Sequence, residues 1–487
     1  MGAPAIHFGT SGWRAIIADE FTFENVRLAV AAVAGHVLSL AREPAVLVAC
    51  DTRFLSEEYS RLAAEVLSEH GVKVLLCETF APTPAVAFEV LRRKLTGSVN
   101  FTASHNPAMY HGLKFNSADG GPALPEVTKN IEERIARLAS MDNRGERRGR
   151  SGKPLWCPGS RGKGRGAIEI LSIREPYLKC LEALVNFDTI RASGLHFVCD
   201  AVHGCGAGYL DASLRARGAE VTELRANRDV LFDGGGPDVI EENLAPLRRA
   251  VVDSGAAAGL ATDGDADRFG ILDNDGAWIS PNHILALLYD YLAETRKWEL
   301  PAARSVATSH LLDAVAGLHG QRVKQTPVGF KYIGEFIKQD KIALGGEESA
   351  GLTIRGHIPE KDGILAGLLV AEMIAARKAS LREQIHTLFR RVGSEFWPVR
   401  ENLHLSEEVM CSAVKRLKIN YKTFLERRVQ RLDRTDGAKF IFKDGSWVLL
   451  RPSGTEPVLR VYTEASRPEV SAQLARETAD WIRKGET

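Results

Sequence analysis

Three aspartates, Asp263, Asp265 and Asp267, occupy alternate positions of a short segment that ends in Arg268. The apolar runs GLAT and FGIL flank this segment, so we expect a tight loop at the ends of two buried strands. Alternate side chains of such a loop can converge. Three carboxylates at one point repel each other unless a hard cation joins them, and oxygen ligands of this kind suit Mg²⁺. The sequence therefore predicts a magnesium site in this loop.

Two alternatives for the acidic loop are an EF-hand and a simple surface turn. An EF-hand needs glycine where this chain has Arg268, and a bidentate glutamate where it has Asn274. It is therefore rejected. An acidic surface turn is disfavoured because such turns seldom follow a buried strand with three acids and an arginine in six residues.

A serine, Ser104, lies in the segment TASHNP, which follows an apolar strand. The proline blocks continuation as a helix, so we expect the hydroxyl in a turn beside the imidazole of His105. Adjacent residues rarely point at one another, and the chain has no G-x-S-x-G motif, so a hydrolase triad is not indicated. Taken alone, the segment also fits an Asn-Pro turn that the serine hydroxyl stabilises.

Two glycine-containing segments offer groups that bind sugars and phosphates. In GEESAG, Glu347 and Ser349 lie between glycines, where a carboxylate can accept hydrogen bonds from vicinal hydroxyls. A solvated loop explains this segment equally well. In RPSGTEP, a guanidinium, two hydroxyls and backbone N–H groups form a phosphate cradle by type, with a β-turn as the alternative. The donors of this second segment are Arg451, Ser453, Gly454 and Thr455.

Three further segments each place a cation in or beside a glycine-containing loop. Each is a weak signal alone. They are GTSGWR with Arg14, HGLKFN with Lys114, and TPVGFK with Thr326, Gly329 and Lys331.

Together and in this order, the motifs GTSGWR, TASHNP, DGDADR, GEESAG and RPSGTEP resemble the α-D-phosphohexomutase family, which includes phosphoglucomutases and phosphomannomutases. The resemblance runs from residue 9 to residue 457. It implies an isomerase that interconverts hexose 1-phosphate and hexose 6-phosphate through a phosphoserine enzyme and a 1,6-bisphosphate intermediate. The implied cofactor is Mg²⁺, with glucose 1,6-bisphosphate as an activator.

The resemblance also implies roles for individual residues. Ser104 would carry the phosphoryl group, which would join the three aspartates as a ligand of Mg²⁺. Arg268, Lys114 and Arg14 would neutralise charge in the transfer. His105, His111 and Lys114 are candidates for the base, and Lys114 is favoured. The substrate-binding residues would be Glu347, Ser349, Thr326, Gly329, Lys331, Arg451, Ser453, Gly454 and Thr455.

One position bears on the choice of sugar. Many bifunctional phosphomannomutases and bacterial glucosamine mutases carry a histidine at the end of the sugar loop, where this chain has Gly351. We therefore expect glucose phosphate, with a phosphomannomutase or a dual phosphoglucomutase/phosphomannomutase as the alternative. A sugar-phosphate phosphatase would use the same serine and metal but would release inorganic phosphate.

Alternating strand and helix patterns predict three doubly wound α/β domains and a C-terminal α+β domain with antiparallel strands. The resemblance adds a central active-site cleft between them. The expected domains span 1–141, 167–275, 276–394 and 395–487, and a basic, glycine-rich insert spans 142–166. In chain order, the domains carry the serine, the metal loop, the sugar loop and the phosphate loop.

Several elements are expected with defined ends. Thr22 and Ser56 are expected to cap helices as their side chains accept backbone N–H groups. Asp444 and Gly445 should form the turn of a hairpin. Strands are expected at 45–50, 98–102, 220–224, 258–262, 305–309 and 342–344, and helices at 241–254 and 363–377.

Composition limits the class of protein. The chain has 487 residues, with 63 Lys+Arg against 62 Asp+Glu and a net charge of +1, which argues against a nucleic-acid coat protein. The insert has a single aromatic residue, Trp156, whereas RNA stacking platforms need several. Apolar residues at 45% and charged residues at 26% are typical of a globular chain with a substantial core.

Cysteine and hydropathy patterns complete the expectation. Seven cysteines without paired C-x-x-C spacing predict reduced thiols rather than disulfides or zinc. The apolar run 29–34 is far shorter than a membrane span, and the first residues do not resemble a signal peptide. We expect a cytoplasmic monomer or homodimer that binds small hexose phosphates and neither nucleic acid nor membranes.

Overall fold

The computed structural model describes residues 6–9, 11–143, 165–453 and 458–484. Most of the predicted insert 142–166, together with Gly454 and Thr455, therefore lies outside the described residues. The chain forms two compact units. The first comprises Met1–Ile279, Ile337–Asp340 and Ala350–Ser380, and the second comprises Ser280–Phe336, Lys341–Ser349 and Leu381–Thr487.

The first sheet has six strands, and four helices alternate with them. The elements are β1 (Trp13–Ile16), α1 (Phe23–Leu40), β2 (Ala45–Cys50), α2 (Ser56–Glu69), β3 (Lys73–Cys77), α3 (Thr83–Arg93), β4 (Gly97–Phe101), β5 (Tyr110–Ser117), α4 (Pro125–Asn143) and β6 (Ile168–Leu171). Their order is β1-β5-β4-β2-β3-β6. β5 runs antiparallel to β1 and β4, and the remaining pairs are parallel. The domain predicted to begin at 167 would include β6, which the structure pairs with β3.

Helix α1 begins as the sequence predicts. The Oγ1 atom of Thr22 accepts a hydrogen bond from the N–H group of Asn25 at 3.2 Å. Val26, Val30, Val33 and Val37 of this helix are fully buried. This helix is long and apolar enough to cross a membrane, a property that core helices share. Here it packs in the core of the first unit against α2 and α4.

The predicted cap at Ser56 is wrong. Ser56 is the first residue of α2, and Leu55 precedes it in the left-handed region without a side-chain cap. The Ser56 hydroxyl instead donates to Asp51 Oδ1 at 3.1 Å and lies 3.1 Å from His111 Nε2. A buried tertiary network has replaced the local hydrogen bond that a solvent-exposed serine would make.

Two cations predicted in or beside glycine-containing loops lie in strands. Arg14 lies in β1 and Lys114 lies in β5, where Arg14 pairs with Gly112. Leu113 and Phe115 alternate toward the core and are buried. This period of two marks a strand, but the glycine and the charged residue between the apolar positions obscured it.

The second sheet lies in the same unit and has five strands. Its elements are α5 (Arg174–Glu182), α6 (Phe187–Ser193), β7 (His196–Asp200), α7 (Leu210–Ala216), β8 (Glu220–Leu224), the 3₁₀ helices Phe232–Gly234 and Glu241–Leu244, α8 (Ala245–Ser254), β9 (Ala258–Thr262), β10 (Phe269–Asp273) and β11 (Trp278–Ile279). The strand order is β11-β10-β9-β7-β8. The strands predicted at 220–224 and 258–262 are confirmed, because β8 and β9 begin and end at those residues. The helix predicted at 241–254 is divided into a 3₁₀ turn and α8.

The chain then passes through α9 (Pro281–Arg296), β12 (Ala302–Ser305), α10 (Leu311–Leu318), β13 (Lys324–Thr326), α11 (Phe330–Lys338), β14 (Leu344–Glu347), β15 (Gly351–Ile354), α12 (Gly363–Arg377) and α13 (Leu381–Val392). In the second unit, β12 pairs in parallel with β13 and β14. The strands predicted at 305–309 and 342–344 lie instead at 302–305 and 344–347. Alanine and glycine fill much of β12 and β14, so the β-branched signal that marks a strand is weak there.

Helix α12 lies where it was predicted, and it belongs to the first unit. It packs against β9, β10, α6 and α7. The domain predicted for 276–394 includes this helix, so the compact units divide the chain differently. The four domain boundaries stay a prediction.

The last part of the second unit is an α+β arrangement with antiparallel strands, as predicted. Its elements are β16 (Trp397–His404), α14 (Glu407–Leu417), β17 (Thr423–Phe424), β18 (Arg427–Asp433), β19 (Ala438–Phe442), β20 (Trp447–Pro452), β21 (Val458–Ala465) and α15 (Pro468–Lys484). The order is β16-β21-β20-β19-β18-β17. The predicted hairpin turn joins β19 to β20, with Gly445 at a φ of 85°.

A buried carboxylate fixes the start of α12. Asp362 Oδ1 accepts the N–H group of Leu365 at 2.8 Å as the N-cap. Its Oδ2 atom accepts the Tyr177 hydroxyl at 2.7 Å and lies 2.7 Å from Nε2 of His357. Both partners come from elsewhere in the first unit, so Asp362 ties α5 and the preceding turn to this helix.

We expect Asp362→Ala to lower the free energy of unfolding by about 3 kcal/mol, because three partners of one buried carboxylate lose their acceptor. Tyr177→Phe removes one of these hydrogen bonds and should lower it by about 1 kcal/mol. Urea unfolding of both variants measures the difference. Equal losses would contradict the role of Asp362 as the shared acceptor.

Candidate active site

The Ser104 loop connects two antiparallel strands, β4 and β5, in the first unit. Ser104 is buried and has a φ of 52°, in the left-handed region that few residues other than glycine adopt. Its N–H group donates to Thr102 Oγ1 at 2.8 Å. The turn predicted for this segment is thus present, and it holds the serine in a strained conformation that is common at functional sites.

The Asp263 loop connects β9 to β10, another antiparallel pair, in which Thr262 lies opposite Phe269. Both strands are fully buried. A Cβ atom on Gly264 would lie 2.7 Å from the carbonyl oxygen of Ser104, so only glycine allows the two loops to come this close. The prediction of a tight loop at the ends of two buried strands is confirmed.

The two loops meet at the Ser104 side chain. The Ser104 hydroxyl donates to Asp263 Oδ2 at 2.8 Å, although 159 positions separate the residues in the chain. One carboxylate oxygen from each of Asp263, Asp265 and Asp267 lies within 4.8 Å of the other two. All three aspartates are buried. The structure thus brings together the four residues that were predicted as metal ligands.

Two lysines balance the negative charge. The Lys114 ammonium group donates to Asp265 Oδ2 at 2.5 Å and to Asp267 Oδ2 at 2.8 Å. The Lys361 ammonium lies 2.9 Å from Asp267 Oδ2. Thr83 Oγ1 also donates to Asp265 Oδ2, at 2.5 Å. Three different elements therefore converge on the acidic loop.

The pKa values of two of the acids shift in opposite directions. Burial, followed by the charges of Asp267 and Asp265, raises the pKa of Asp263 well above its usual range. Burial opposes ionisation of Asp267 too, but Lys114 and Lys361 hold its pKa well below the usual range. This is the pattern expected when more acids share a site than the available cations can balance.

The donor set fits a divalent cation. Among the residues that the structure describes, Oδ1 of Asp265 and Oδ1 of Asp267 are buried and have no hydrogen-bond partner. Buried carboxylate oxygens normally have one. With Asp263 and the Ser104 hydroxyl, they form a small set of oxygen ligands of the kind that Mg²⁺ prefers.

The candidate bases differ in their surroundings. Burial opposes charge on Lys114, yet Asp265 and Asp267 raise its pKa above the usual range, so the ammonium keeps its proton in this arrangement. Burial, together with Arg268 and Arg14, lowers the pKa of His105 well below its usual range. His105 is therefore neutral near pH 7, and its Nδ1 lies 3.4 Å from Ser104 Oγ.

His111 is a core residue. Its ring stacks on Phe21 at 4.9 Å between centroids, and burial lowers its pKa to about 3. Of the three candidate bases, it is the one held inside an aromatic cluster.

Arg14 contacts the serine loop, and Arg268 belongs to the aspartate loop and contacts its acids. Arg14 Nη1 donates to Asn106 Oδ1 at 2.6 Å, in the serine loop. The Arg268 backbone N–H donates to Asp263 Oδ1 at 3.0 Å, and its Nε lies 3.9 Å from Asp267 Oδ1. Each guanidinium group thus lies beside a residue of the loop that it contacts.

Three residues of this site were missed by sequence reasoning. Arg53, Thr83 and Lys361 contact the serine or aspartate loops from distant parts of the chain. A signal existed for Arg53, because it follows the buried parallel strand β2, and sites in α/β proteins lie beyond the carboxyl ends of such strands. Lys361 follows Glu360 just before the helix that begins at Gly363, a position that gave no such signal.

The predicted substrate-binding residues lie in the second unit. Glu347 ends β14, rather than lying in the loop after it, and its Oε1 accepts the Gly329 N–H at 2.7 Å. Asp436 Oδ2 accepts the Val328 N–H at 3.1 Å and Nε of Arg451 at 2.8 Å. The loop between β13 and α11 thus connects the sugar segment to the predicted phosphate segment.

The other predicted substrate-binding residues lie near the contacts of Glu347 and Arg451, as does Glu348. The neighbouring carboxylate of Glu348 accepts the hydroxyls of Ser305 at 2.8 Å and Thr308 at 3.2 Å. A carboxylate of this segment therefore already binds hydroxyl groups. Thr326 ends β13, Lys331 lies in the first turn of α11, Ser349 follows β14 and Ser453 follows β20.

Gly351 has no room for a side chain. A Cβ atom there would lie 2.2 Å from Cδ and 2.7 Å from Cγ of Lys361. The stem of Lys361 passes over Gly351 toward Asp267. A histidine at this position would need another path for that lysine.

Family models match nearly the whole chain. Those for the phosphoglucomutase/phosphomannomutase α/β/α domains I, II and III match residues 5–142, 175–276 and 280–392, and that for the C-terminal domain matches 410–480. The chain belongs to this family. The multi-domain α/β fold expected from the sequence is therefore confirmed.

Individual phosphohexomutases are similar over their full lengths. A phosphoglucosamine mutase of Salinispora arenicola is 32% identical over 483 residues, covering 98% of each chain. A phosphoglucomutase/phosphomannomutase of Thermococcus kodakarensis is 29% identical over 464 residues, covering 95% of each. The crystal structure of a putative phosphomannomutase from Thermus thermophilus has a TM-score of 0.83 and 32% identity, and the match covers 99% of this chain and all of that one.

We expect Asp265→Asn to raise the Mg²⁺ concentration for half-maximal phosphohexomutase activity by at least about tenfold, since a charged ligand becomes a neutral one. Titration of activity with Mg²⁺ measures this. Asp229→Asn is the matched control, because Asp229 is half-buried and belongs to a separate group with buried His203 and exposed Asp233. An unchanged titration for Asp265→Asn would contradict the metal assignment.

We expect Gly351→Ala to lower the free energy of unfolding by about 1–3 kcal/mol, because the added methyl group collides with the Lys361 stem. Activity should fall as Lys361 leaves Asp267. Gly317→Ala is the control, since nothing lies within 4 Å of a Cβ atom at that position of α10. It should raise stability by about 0.5–1 kcal/mol. Similar behaviour of the two variants would disprove the collision.

Proposed function

We propose that this protein is a phosphohexomutase that interconverts hexose 1-phosphate and hexose 6-phosphate, with Ser104 as the carrier of the phosphoryl group. The observation that carries the proposal is the 2.8 Å hydrogen bond from the Ser104 hydroxyl to Asp263, inside a group of three buried carboxylates. The Ser104 hydroxyl therefore lies beside the acidic loop. It is well placed to share a divalent cation with them once it bears phosphate.

The proposed reaction has two balanced transfers. The free hydroxyl of a hexose monophosphate attacks the phosphorus on Ser104, the bond to Ser104 Oγ breaks, and the hydroxyl proton passes to a base. The resulting bisphosphate turns round, and the Ser104 oxygen attacks its other phosphate. The bond between that phosphorus and the sugar oxygen breaks, and the base returns its proton to the sugar oxygen. The second transfer leaves the isomeric monophosphate and restores the phosphoserine.

Residues of the chain would neutralise negative charge on the transferring phosphoryl group. Phosphoryl transfer depends on alignment and on neutralisation of charge more than on covalent help. When bound by Asp263, Asp265, Asp267 and Ser104, Mg²⁺ would supply further neutralisation of the phosphoryl oxygens. Arg14 and Arg268 contact the loops on which the transferring group lies.

The charge states of the candidate bases bear on which of them accepts the proton of the attacking hydroxyl. Lys114 was favoured from the sequence, but its two carboxylate partners keep it protonated until they are engaged elsewhere. Lys114 would act as the base only after it has released this proton. Neutral His105, at 3.4 Å from Ser104 Oγ, is the alternative acceptor.

Substrate binding is assigned to the second unit. Glu347 and Ser349 would accept and donate hydrogen bonds to sugar hydroxyls, and Arg451 with Ser453, Gly454 and Thr455 would bind the phosphate that does not react. Thr326, Gly329 and Lys331 complete the proposed set. The hydrogen bonds of Glu347 to Gly329 and of Arg451 to Asp436 support the assignment, because they preorganise both charged groups.

For the sugar itself, we propose glucose phosphate, with glucose 1,6-bisphosphate as the activator that primes Ser104. Gly351 supports this choice, since the Lys361 stem fills the space that a histidine side chain would need. Glucosamine phosphate is a second candidate, because several similar proteins are named phosphoglucosamine mutase. Mannose phosphate is a third, given the relative named for both activities.

A coupled assay tests these candidates. Glucose 1-phosphate, mannose 1-phosphate and glucosamine 1-phosphate are compared at equal concentrations, with Mg²⁺ and a trace of the matching 1,6-bisphosphate. The proposal expects the highest kcat/KM for glucose 1-phosphate. A higher value for glucosamine 1-phosphate would overturn the glucose preference. Release of inorganic phosphate without an isomer would indicate a phosphatase.

We expect Ser104→Ala to reduce turnover of every hexose phosphate to background, because the acceptor oxygen is missing. Circular dichroism and thermal unfolding should stay close to those of the wild type. Intact mass after incubation with glucose 1,6-bisphosphate should show a phosphorylated species only in the wild type. Turnover by the variant would remove Ser104 from the mechanism.

A further inference from the structure

Arg53, in the turn between β2 and α2, makes an unusual set of hydrogen bonds to the serine loop. Its side chain is fully buried. Nη1 donates to the carbonyl oxygens of Pro107 and Tyr110, both at 2.9 Å. Nη2 donates to those of Ser104 at 2.7 Å and Asn106 at 2.6 Å. One planar group therefore binds four carbonyls of the loop that carries the nucleophile.

This arrangement matters because of the Ser104 backbone. A serine at a φ of 52° persists only where surrounding contacts hold it. The hydrogen bond from Arg53 reaches the carbonyl of that very residue, and the bond to Asn106 fixes the loop two residues later. The direction of the Ser104 hydroxyl toward Asp263 depends on this conformation.

The charge of Arg53 matters as well. A phosphoserine at 104 would lie beside three aspartates and near the partial negative charges of the loop carbonyls. The guanidinium engages those carbonyls and brings a positive charge within reach of the acids. Asp51 orients it, with Oδ2 accepting from Nε at 3.2 Å. Lysine could not replace this group, because an ammonium is a point charge without the planar fork.

We propose that Arg53 is a positioning residue for Ser104: it holds the serine backbone in the left-handed conformation and offsets negative charge when Ser104 is phosphorylated. The inference rests on the proposed function, in which Ser104 carries the phosphoryl group. It adds a residue that lies outside the serine, metal, sugar and phosphate segments.

The test compares Arg53→Lys with Arg228→Lys. Arg228 is a matched control, since it holds the same turn through the carbonyls of Thr52 at 2.9 Å and Arg53 at 3.0 Å, and it pairs with Glu57. Arg53→Lys should lower kcat by about 100-fold with little change in KM, because small misplacements of reacting groups cost rates of this size. The extent of Ser104 phosphorylation by glucose 1,6-bisphosphate should fall too. Arg228→Lys should leave kcat and phosphorylation close to those of the wild type.

Hydrogen exchange measured by mass spectrometry gives a readout that needs no turnover. Peptides covering 102–110 should exchange faster in Arg53→Lys than in the wild type or in Arg228→Lys. Addition of millimolar guanidinium to Arg53→Ala should restore part of the activity, whereas methylammonium should not.

Three results would overturn the proposal. The first is a wild-type kcat in Arg53→Lys. The second is a loss of kcat in both Arg53→Lys and Arg228→Lys that is proportional to their loss of thermal stability. The third is unchanged hydrogen exchange in the serine loop of Arg53→Lys. Failure of the proposed function is distinct from these. It would appear as a wild-type protein that isomerises no hexose phosphate, and the exchange measurement would still decide whether Arg53 holds the loop.

Discussion

Three carboxylates buried at one point are the constraint on which the site depends. Asp263, Asp265 and Asp267 cannot all be ionised in a poorly solvated environment without nearby positive charge. The protein meets this requirement with Lys114 from β5 and Lys361 from the segment before α12, and burial raises the pKa of Asp263 well above its usual range. Residues that are far apart in the sequence are therefore drawn together by the electrostatic requirement of a single loop.

Rigid strand pairs carry that loop and its partner. The Ser104 and Asp263 loops each join two antiparallel, hydrogen-bonded strands, so both ends of each loop are fixed by a register. Gly264 permits the close contact between them. Helix α12 adds a third fixed point, since Asp362 holds its start next to Lys361. Catalytic groups held on such elements need little reorganisation when a ligand arrives.

Sequence reasoning succeeded where local patterns carry the information. The acidic loop lies between two apolar strands, and its position followed from them, while the order of the glycine-containing motifs led to the family. Strands β5 and β12 were missed or displaced because glycine, alanine and charged residues obscure their alternation. The Ser56 cap failed because a buried contact with Asp51 replaced a local hydrogen bond. Thr83 and Lys361 reach the site only through long-range packing, which no local pattern encodes. Arg53 was missed although its position after the buried strand β2 carries a signal.

Sugar preference depends on small chemical differences, because glucose, mannose and glucosamine phosphates differ in one hydroxyl or amino group. The contact between Gly351 and the stem of Lys361 shows why exchanging the sugar loop between relatives is not a simple operation. The identity of residue 351 sets the path available to a lysine ten positions later. A chimaera that receives a larger residue at position 351 must therefore also receive the segment that precedes α12. The unit that has to be exchanged together is larger than the loop itself.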